Sequence, residues 1–120
     1  MIKVVLTALS MALISQQSLA NAVFYCNGTN LIEIKNNKST SYETQNFKFS
    51  VDSNLIKFGN GGYFSGDQMS ISSWVSEDFW SATNVIAILR FHKGQFMYAA
   101  SVLEEDGASG LLISATCDKF

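Results

Sequence analysis

The chain has 120 residues, with eight Lys or Arg against ten Asp or Glu and a formal net charge of −2 at pH 7. Its length suits one domain and leaves no room for two. The basic residues are scattered, which argues against a nucleic-acid partner because phosphate backbones are bound by clustered positive charge.

Residues 1–22 have the features of a secretory leader. Lys3 gives a short positive start, residues 4–14 are uncharged and mostly apolar, and Ala20-Asn21-Ala22 is the small-x-small pattern that signal peptidase needs. The apolar run is too short to cross a hydrocarbon core of ~30 Å as a helix, so we predict no transmembrane segment. We expect cleavage after Ala22, a single mature domain at 23–120, and a periplasmic or secreted location.

The two cysteines, Cys26 and Cys117, lie near opposite ends of this mature domain. In an exported chain such a pair most simply forms one disulfide. A lipid anchor on Cys26 is the alternative, but Val23, Phe24 and Tyr25 are bulky where a lipoprotein leader has small residues. We therefore predict a bridge between Cys26 and Cys117 that joins the two ends of the fold.

From Val23 onward the dominant hydrophobic period is two, which predicts half-buried strands. In two places the turn position and the apolar register agree, as a β-hairpin requires. A turn at Ser53-Asn54 and a turn at Lys93-Gly94 would each place one set of residues on a common core face: Phe49, Val51, Ile56 and Phe58 in the first hairpin, and Leu89, Phe91, Phe96 and Tyr98 in the second. The opposite face of the second hairpin would then carry Arg90, His92, Gln95 and Met97.

Further strands are predicted at 23–27, 31–35, 68–75 and 111–117, separated by turn residues at 36–39, 59–62 and 104–110. Residues 85–89 are apolar on both faces, so that strand is expected to be central or covered on its outer side. A short helix at 76–83 would supply the cover. The chain has no proline to protect sheet edges, and closure would remove those edges. We predict an all-β fold, a small antiparallel β-barrel or barrel-like sandwich of seven or eight strands with one disulfide.

Catalytic and metal-binding patterns are sparse. His92 is the only histidine and is expected on a solvated face beside a turn. With both cysteines oxidised, too few ligands remain for a zinc site, so no metal or other cofactor is predicted. The acidic groups at 77–78 and 104–106 are interpreted as solvated turns, not as a paired-carboxylate or calcium site. We predict no catalytic residue and no enzymatic activity.

One aromatic segment does not fit a plain hairpin. Continuing the alternation of the predicted strand at 68–75 places Trp74 outward, on the face of Ser70 and Ser72. A purely structural explanation is that residues 76–83 fold back and cover it. The functional hypothesis is a binding surface, because exposed aromatic residues favour protein contacts. Its predicted members are Trp74, Phe79 and Trp80, with Tyr63 and Phe64 as neighbours.

The segment Phe24-Tyr25-Cys26-Asn27-Gly28, the late Cys117, the exported address and the short β-rich body together resemble the periplasmic inhibitors of C-type lysozymes, which are small antiparallel barrels. The likeness covers the two ends and the size. The inhibitory loop of that family carries a Ser-Gly-x-x-Tyr-type signature, whereas residues 62–66 here have these residue types in another order. The resemblance therefore implies a binding or inhibitor protein, and it transfers no site residue.

Three functional classes follow from these observations. The first is an exported module that binds or inhibits another protein in the cell envelope, such as an inhibitor or immunity factor. The second is a carrier of a small apolar ligand inside the barrel, although a chain this short is expected to fill its interior with its own Phe side chains. The third is a hydrolase, for which the sequence offers no catalytic set.

Overall fold

The computed structural model describes residues 22–120, which form nine β-strands and no helix. The predicted leader lies outside the described residues except for Ala22, which begins the first strand. The strands, in chain order, are β1 (Ala22–Lys35), β2 (Lys38–Ser41), β3 (Asn46–Asp52), β4 (Leu55–Phe58), β5 (Gln68–Ser76), β6 (Phe79–Thr83), β7 (Ala87–His92), β8 (Gln95–Glu104) and β9 (Gly107–Lys119).

Eight of these strands form a closed antiparallel barrel. β1 pairs with β3, each later strand pairs with the next one, and β9 returns to pair with β1. β2 pairs with β1 alone and adds a ninth strand outside the barrel. Closure gives nearly every strand two hydrogen-bonded neighbours, which removes the edges that a flat sheet would expose. The predicted all-β barrel is confirmed.

Both predicted hairpins have the predicted register. Val51 lies opposite Ile56 and Phe49 opposite Phe58 in one, and Phe91 lies opposite Phe96 and Leu89 opposite Tyr98 in the other. All eight side chains lie in the barrel interior, and none is more exposed than Phe58 and Tyr98, at 6%. The agreement of turn and register therefore identified the core face correctly.

Both the backbone conformation and the surroundings of the turn between β7 and β8 favour glycine at position 94. Lys93 and Gly94 both have positive φ, 48° and 79°, which is the backbone of a type I′ hairpin turn. A Cβ on Gly94 would lie 2.8 Å from the carbonyl oxygen of Cys117. The backbone N–H of Cys117 donates to the Gly94 carbonyl at 2.7 Å, so this turn is held against β9.

The disulfide lies at the seam of the barrel. Cys26 on β1 is directly opposite Cys117 on β9, and the two are bonded across 91 residues of sequence. β1 and β9 are the strands whose pairing closes the barrel. The predicted bridge is thus present, and it joins the first and last strands covalently.

Aromatic rings fill the barrel interior. Phe49 on β3 and Phe91 on β7 come from opposite walls, yet their ring centroids are 5.9 Å apart. Phe96 on β8 lies 5.9 Å from Phe49 and 6.3 Å from Phe58. Edge-to-face and tilted pairs at these distances are in contact, so the protein's own side chains occupy the space between the walls.

The helix predicted at 76–83 is wrong, because β6 occupies most of this segment. Trp80 and Ala82 point inward with exposures of 1% and 0%, whereas Phe79 between the turn and Trp80 is exposed. β6 pairs with both β5 and β7, and this two-sided pairing satisfies its backbone more fully than a single helical turn would.

Three further expectations need correction. The predicted strands 23–27 and 31–35 are one strand, β1, interrupted by a bulge between Gly28 and Asn30. The predicted connection at 104–110 shrinks to a two-residue turn, because β8 and β9 continue as a long ribbon beyond the barrel. The outer side of residues 85–89 is uncovered, since Val85 is fully exposed and Ile88 is 40% exposed.

Candidate functional site: an exposed aromatic hairpin tip

The structure separates the five predicted binding residues into two groups by burial. Trp74, Phe79 and Tyr63 are 43%, 47% and 42% exposed, whereas Trp80 and Phe64 are 1% and 2% exposed. Side chains as enclosed as Trp80 and Phe64 cannot contact a partner in the folded protein. Their place is in the core, where the indole of Trp80 stacks on Phe91 with ring centroids 5.0 Å apart.

Trp80 is a packing residue with one unusual atom. Its indole N–H is buried and has no hydrogen-bond acceptor among residues 22–120. An unpaired buried donor costs about 1–3 kcal/mol. The ring contacts with Phe91 and Phe49 must therefore outweigh this cost.

Trp74 lies on the side of β5 opposite to the one predicted. The register shifts between Ile71 and Ser73 through a β-bulge, and Trp74 then lies directly opposite Trp80. Directly opposed residues share one face of a sheet, so Trp74 is on the inward side and not on the side of Ser70. The extra residue of the bulge reverses the alternation that the sequence pattern assumed.

Trp74 is nevertheless exposed because its strand runs past the end of β4. β4 pairs with β5 only as far as Ser70, so residues 72–76 have no neighbour on that side within the described chain. Val75, in a second register shift, is 66% exposed. We call residues 72–79 the hairpin tip, since β5 has here passed the end of β4 and turns back into β6.

Three contacts hold the hairpin tip in place. The Lys93 N–H donates to the Asp78 carbonyl at 2.8 Å, and the Lys119 ammonium lies 3.3 Å from the Glu77 carboxylate. The Phe79 ring packs against the imidazole of His92 with centroids 4.6 Å apart. The ion pair is solvent-exposed and contributes little, but the backbone bond and the ring contact fix the tip against β7 and the turn that follows it.

Tyr63 is not part of this surface. It lies in the loop that precedes the nine-residue strand β5, whereas the turn of the hairpin tip follows that strand. A strand of that length spans roughly 25–30 Å. The Tyr63 hydroxyl donates to the Glu43 carbonyl at 3.4 Å, and the neighbouring Phe64 stacks on Phe58 at 4.3 Å. The structure therefore does not bring Tyr63 and Phe64 next to Trp74.

Three exposed side chains of the hairpin tip, Trp74, Val75 and Phe79, are apolar. Among residues 22–120 no group of three His, Cys, Asp or Glu side chains is arranged to hold a metal ion. His92 is exposed and lies against Phe79. The tip thus exposes one aromatic ring on each side of its ribbon, Trp74 on the side of Trp80 and Phe79 on the side of His92, and exposed aromatic residues are typical of protein interfaces.

The sequence interpretation missed a second exposed apolar surface on the outside of the barrel. Ile34, Ile88, Met97 and Leu112 are 43%, 40%, 61% and 42% exposed and all lie on β1, β7, β8 or β9. Met97 was assigned to the polar face, Ile88 was placed in a strand expected to be central or covered, and Ile34 and Leu112 were not assigned a role. The available signal was the apolar pairs Leu31-Ile32 and Leu112-Ile113, in which adjacent positions must face opposite sides of a strand.

Residues 22–120 contain no helix that is long and apolar enough to cross a membrane. Comparison with protein-family models, with curated proteins and with solved structures found no match to this chain.

Proposed function

We propose that the protein is exported to the cell envelope and acts there by binding another protein, as an inhibitor or immunity-type module. The observation that carries this proposal is the hairpin tip, where Trp74 and Phe79 are 43% and 47% exposed on a segment anchored to the barrel. Trp side chains are enriched among interface residues that dominate binding free energy. A pre-positioned tip loses little conformational entropy on binding.

Export is supported by the leader-like residues 1–22 and by the Cys26–Cys117 disulfide. Disulfides persist in oxidising compartments and are rare where glutathione keeps thiols reduced. The weak resemblance to periplasmic lysozyme inhibitors agrees with a binding role but does not identify the target.

The packing of the interior disfavours the carrier hypothesis. A carrier needs space between the barrel walls for its ligand. Here Phe49 meets Phe91 and Phe96 across that space at 5.9 Å. Binding at the outer surface, by contrast, leaves these ring contacts in the core unchanged.

Capture of partners from envelope extract on immobilised mature protein tests this function. Trp74→Ala and Phe79→Ala should each weaken capture of the bound partner by about 2 kcal/mol, roughly thirtyfold in Kd, without lowering the unfolding midpoint. Tyr42→Ala is the matched control, because Tyr42 is 48% exposed but lies after β2 and away from the tip. Undiminished capture by the Trp74→Ala, Phe79→Ala double variant would refute the proposed contact surface.

A further inference from the structure

The outside of β7, β8, β9 and β1 carries a continuous apolar band. Residues directly opposite each other in antiparallel strands share a face, and one such row crosses all four strands. Its members are Ile88, Ala99, Leu112 and Ile32. One flanking row contains Ser101, Gly110 and Ile34. We call the central row and its two flanking rows the outer sheet face.

A polar row with one cation borders the apolar row. It consists of Arg90, Met97, Ser114 and Asn30. Two shallow grooves meet here and share Met97 and Ser114 as lining residues. One has a volume of about 360 Å³ and includes Ile32 and Leu112, and the other has a volume of about 310 Å³ and includes Arg90 and His92.

The charge on the outer sheet face is one-sided. Arg90 is its only formally charged side chain in these rows, although the whole chain has ten Asp and Glu residues. The ion pairs within residues 22–120 use Lys35, Lys57 and Lys119, and none places a carboxylate within 4.0 Å of Arg90. A guanidinium offers several N–H donors in a planar fork that matches a carboxylate.

We infer that the outer sheet face docks a protein partner whose contact surface is apolar and carries a carboxylate that pairs with Arg90. The inference rests on the proposed function, because it names the chemistry of the same partner. Phe79 joins the two surfaces, since it belongs to the hairpin tip and its ring contacts His92, the neighbour of Arg90 on the outward side of β7.

The area of the outer sheet face agrees with an interface that also includes the hairpin tip. Four strands spaced ~4.8 Å apart and three outward rows spaced ~7 Å apart cover roughly 20 Å by 20 Å, or about 400 Å². A stable complex of standard size buries about 800 Å² on each partner. The outer sheet face supplies about half of that area, and the adjoining hairpin tip extends it.

A second copy of the chain fits this face less well than a different protein does. A two-fold symmetric dimer brings the same patch of both copies together. The outer sheet face has no carboxylate to receive the partner copy's guanidinium, so both Arg90 side chains would lose hydration without a counter-charge. A partner with its own Asp or Glu avoids that loss.

The test is selection of displayed random peptides on immobilised mature protein. The enriched peptides should combine Leu, Ile, Phe or Met with an Asp or Glu. For the best peptide and its carboxylate-to-amide counterpart, Arg90→Gln should weaken binding of the acidic form about tenfold and leave the amide form nearly unchanged. Leu112→Ser should weaken both. Lys93→Gln is the matched control, because it removes an exposed cation from the adjacent turn.

Several outcomes would overturn the inference: no enriched peptide, enriched peptides without acidic residues, equal losses in Arg90→Gln and Lys93→Gln, or self-association of the native protein that Leu112→Ser abolishes. Unfolding midpoints of all variants establish that they are folded.

Two outcomes separate this inference from the proposed function. If peptide binding is lost in Trp74→Ala but native in Arg90→Gln and Leu112→Ser, the inference is refuted and the proposed function stands. Envelope capture lost in Arg90→Gln and Leu112→Ser but native in the hairpin-tip variants supports the inference and refutes the proposed contact surface.

Discussion

Trp74 and Trp80 lie directly opposite each other across the β5–β6 pair, yet Trp80 is 1% exposed and Trp74 is 43% exposed. β6 is flanked by β7 along its whole length, whereas β5 has passed the end of β4 where Trp74 is reached. Two residues of the same type on the same ribbon thus have different environments. One belongs to the core and the other to the exposed hairpin tip.

This difference predicts unequal effects of the two alanine substitutions on stability. Trp80→Ala should lower the free energy of unfolding by about 3–5 kcal/mol, because it leaves a cavity beside Phe91. Trp74→Ala should change it by less than about 1 kcal/mol, as is usual at the surface. Trp80→Phe should cost less than Trp80→Ala, since it keeps a ring and removes the unpaired N–H. Urea unfolding curves measure all three, and equal losses in the two alanine variants would contradict the assignment.

The two hairpins could be predicted from the sequence because turn chemistry and apolar alternation fixed the same register independently. Phe49 opposite Phe58 and Phe91 opposite Phe96 follow from that agreement. The side occupied by Trp74 could not be predicted in this way. A bulge adds one residue to one strand only, and the Ser-Ile-Ser-Ser sequence at 70–73 contains nothing that marks it.

The outer sheet face was missed for a related reason. Where adjacent residues are both apolar, as in Leu31-Ile32 and Leu112-Ile113, alternation alone does not say which one faces the core. Only the pairing of Leu31 with Ile113 and of Ile32 with Leu112 separates the inward pair from the outward pair. The strand pairing of the closed barrel was therefore needed to identify Ile32 and Leu112 as the outward residues.

The disulfide should contribute a large share of the stability. It closes a loop with a sequence separation of 91, for which the loss of denatured-state entropy corresponds to about 4–5 kcal/mol. The Cys26→Ser, Cys117→Ser double variant should therefore unfold at a markedly lower urea concentration. Native protein in reductant is the companion measurement. A midpoint unchanged in both would show that the β1–β9 backbone pairing alone holds the seam.

Phe49 should be one of the most sensitive core positions. Its ring contacts Phe24, Phe58, Trp80, Phe91 and Phe96. Phe49→Ala is expected to cost about 3–5 kcal/mol in denaturant unfolding, because the surrounding rings are held by strands that cannot collapse into the space. Phe120→Ala, at a position that is 88% exposed, is the control and should have little effect.

The leader prediction is tested by the mass of the protein recovered from the cell envelope. Cleavage after Ala22 predicts a product that begins at Val23 and is lighter by two hydrogen atoms for the Cys26–Cys117 bond. Ala20→Leu should slow processing, since signal peptidase requires small residues at this position. A product that keeps residues 1–22, or one with a lipid on Cys26, would show that the leader was misinterpreted.

Stability should also fall in alkaline solution through Tyr98. Burial of its phenol, with a smaller contribution from the charge of Asp67, raises the pKa of Tyr98 above the ordinary value of 10.0. A raised folded-state pKa means that the stability is fully present below the unfolded-state pKa and is lost as pH rises through the folded-state pKa. Tyr98→Phe keeps the ring packed on Phe64 and removes the ionising group. Its urea midpoint should therefore fall less than that of the native protein between about pH 8 and pH 11.

The control for this pH dependence is Tyr25→Phe, which removes a hydroxyl from a side chain that is 47% exposed. Its urea midpoint should follow that of the native protein. Parallel declines in the native protein and in Tyr98→Phe would exclude Tyr98 as the source.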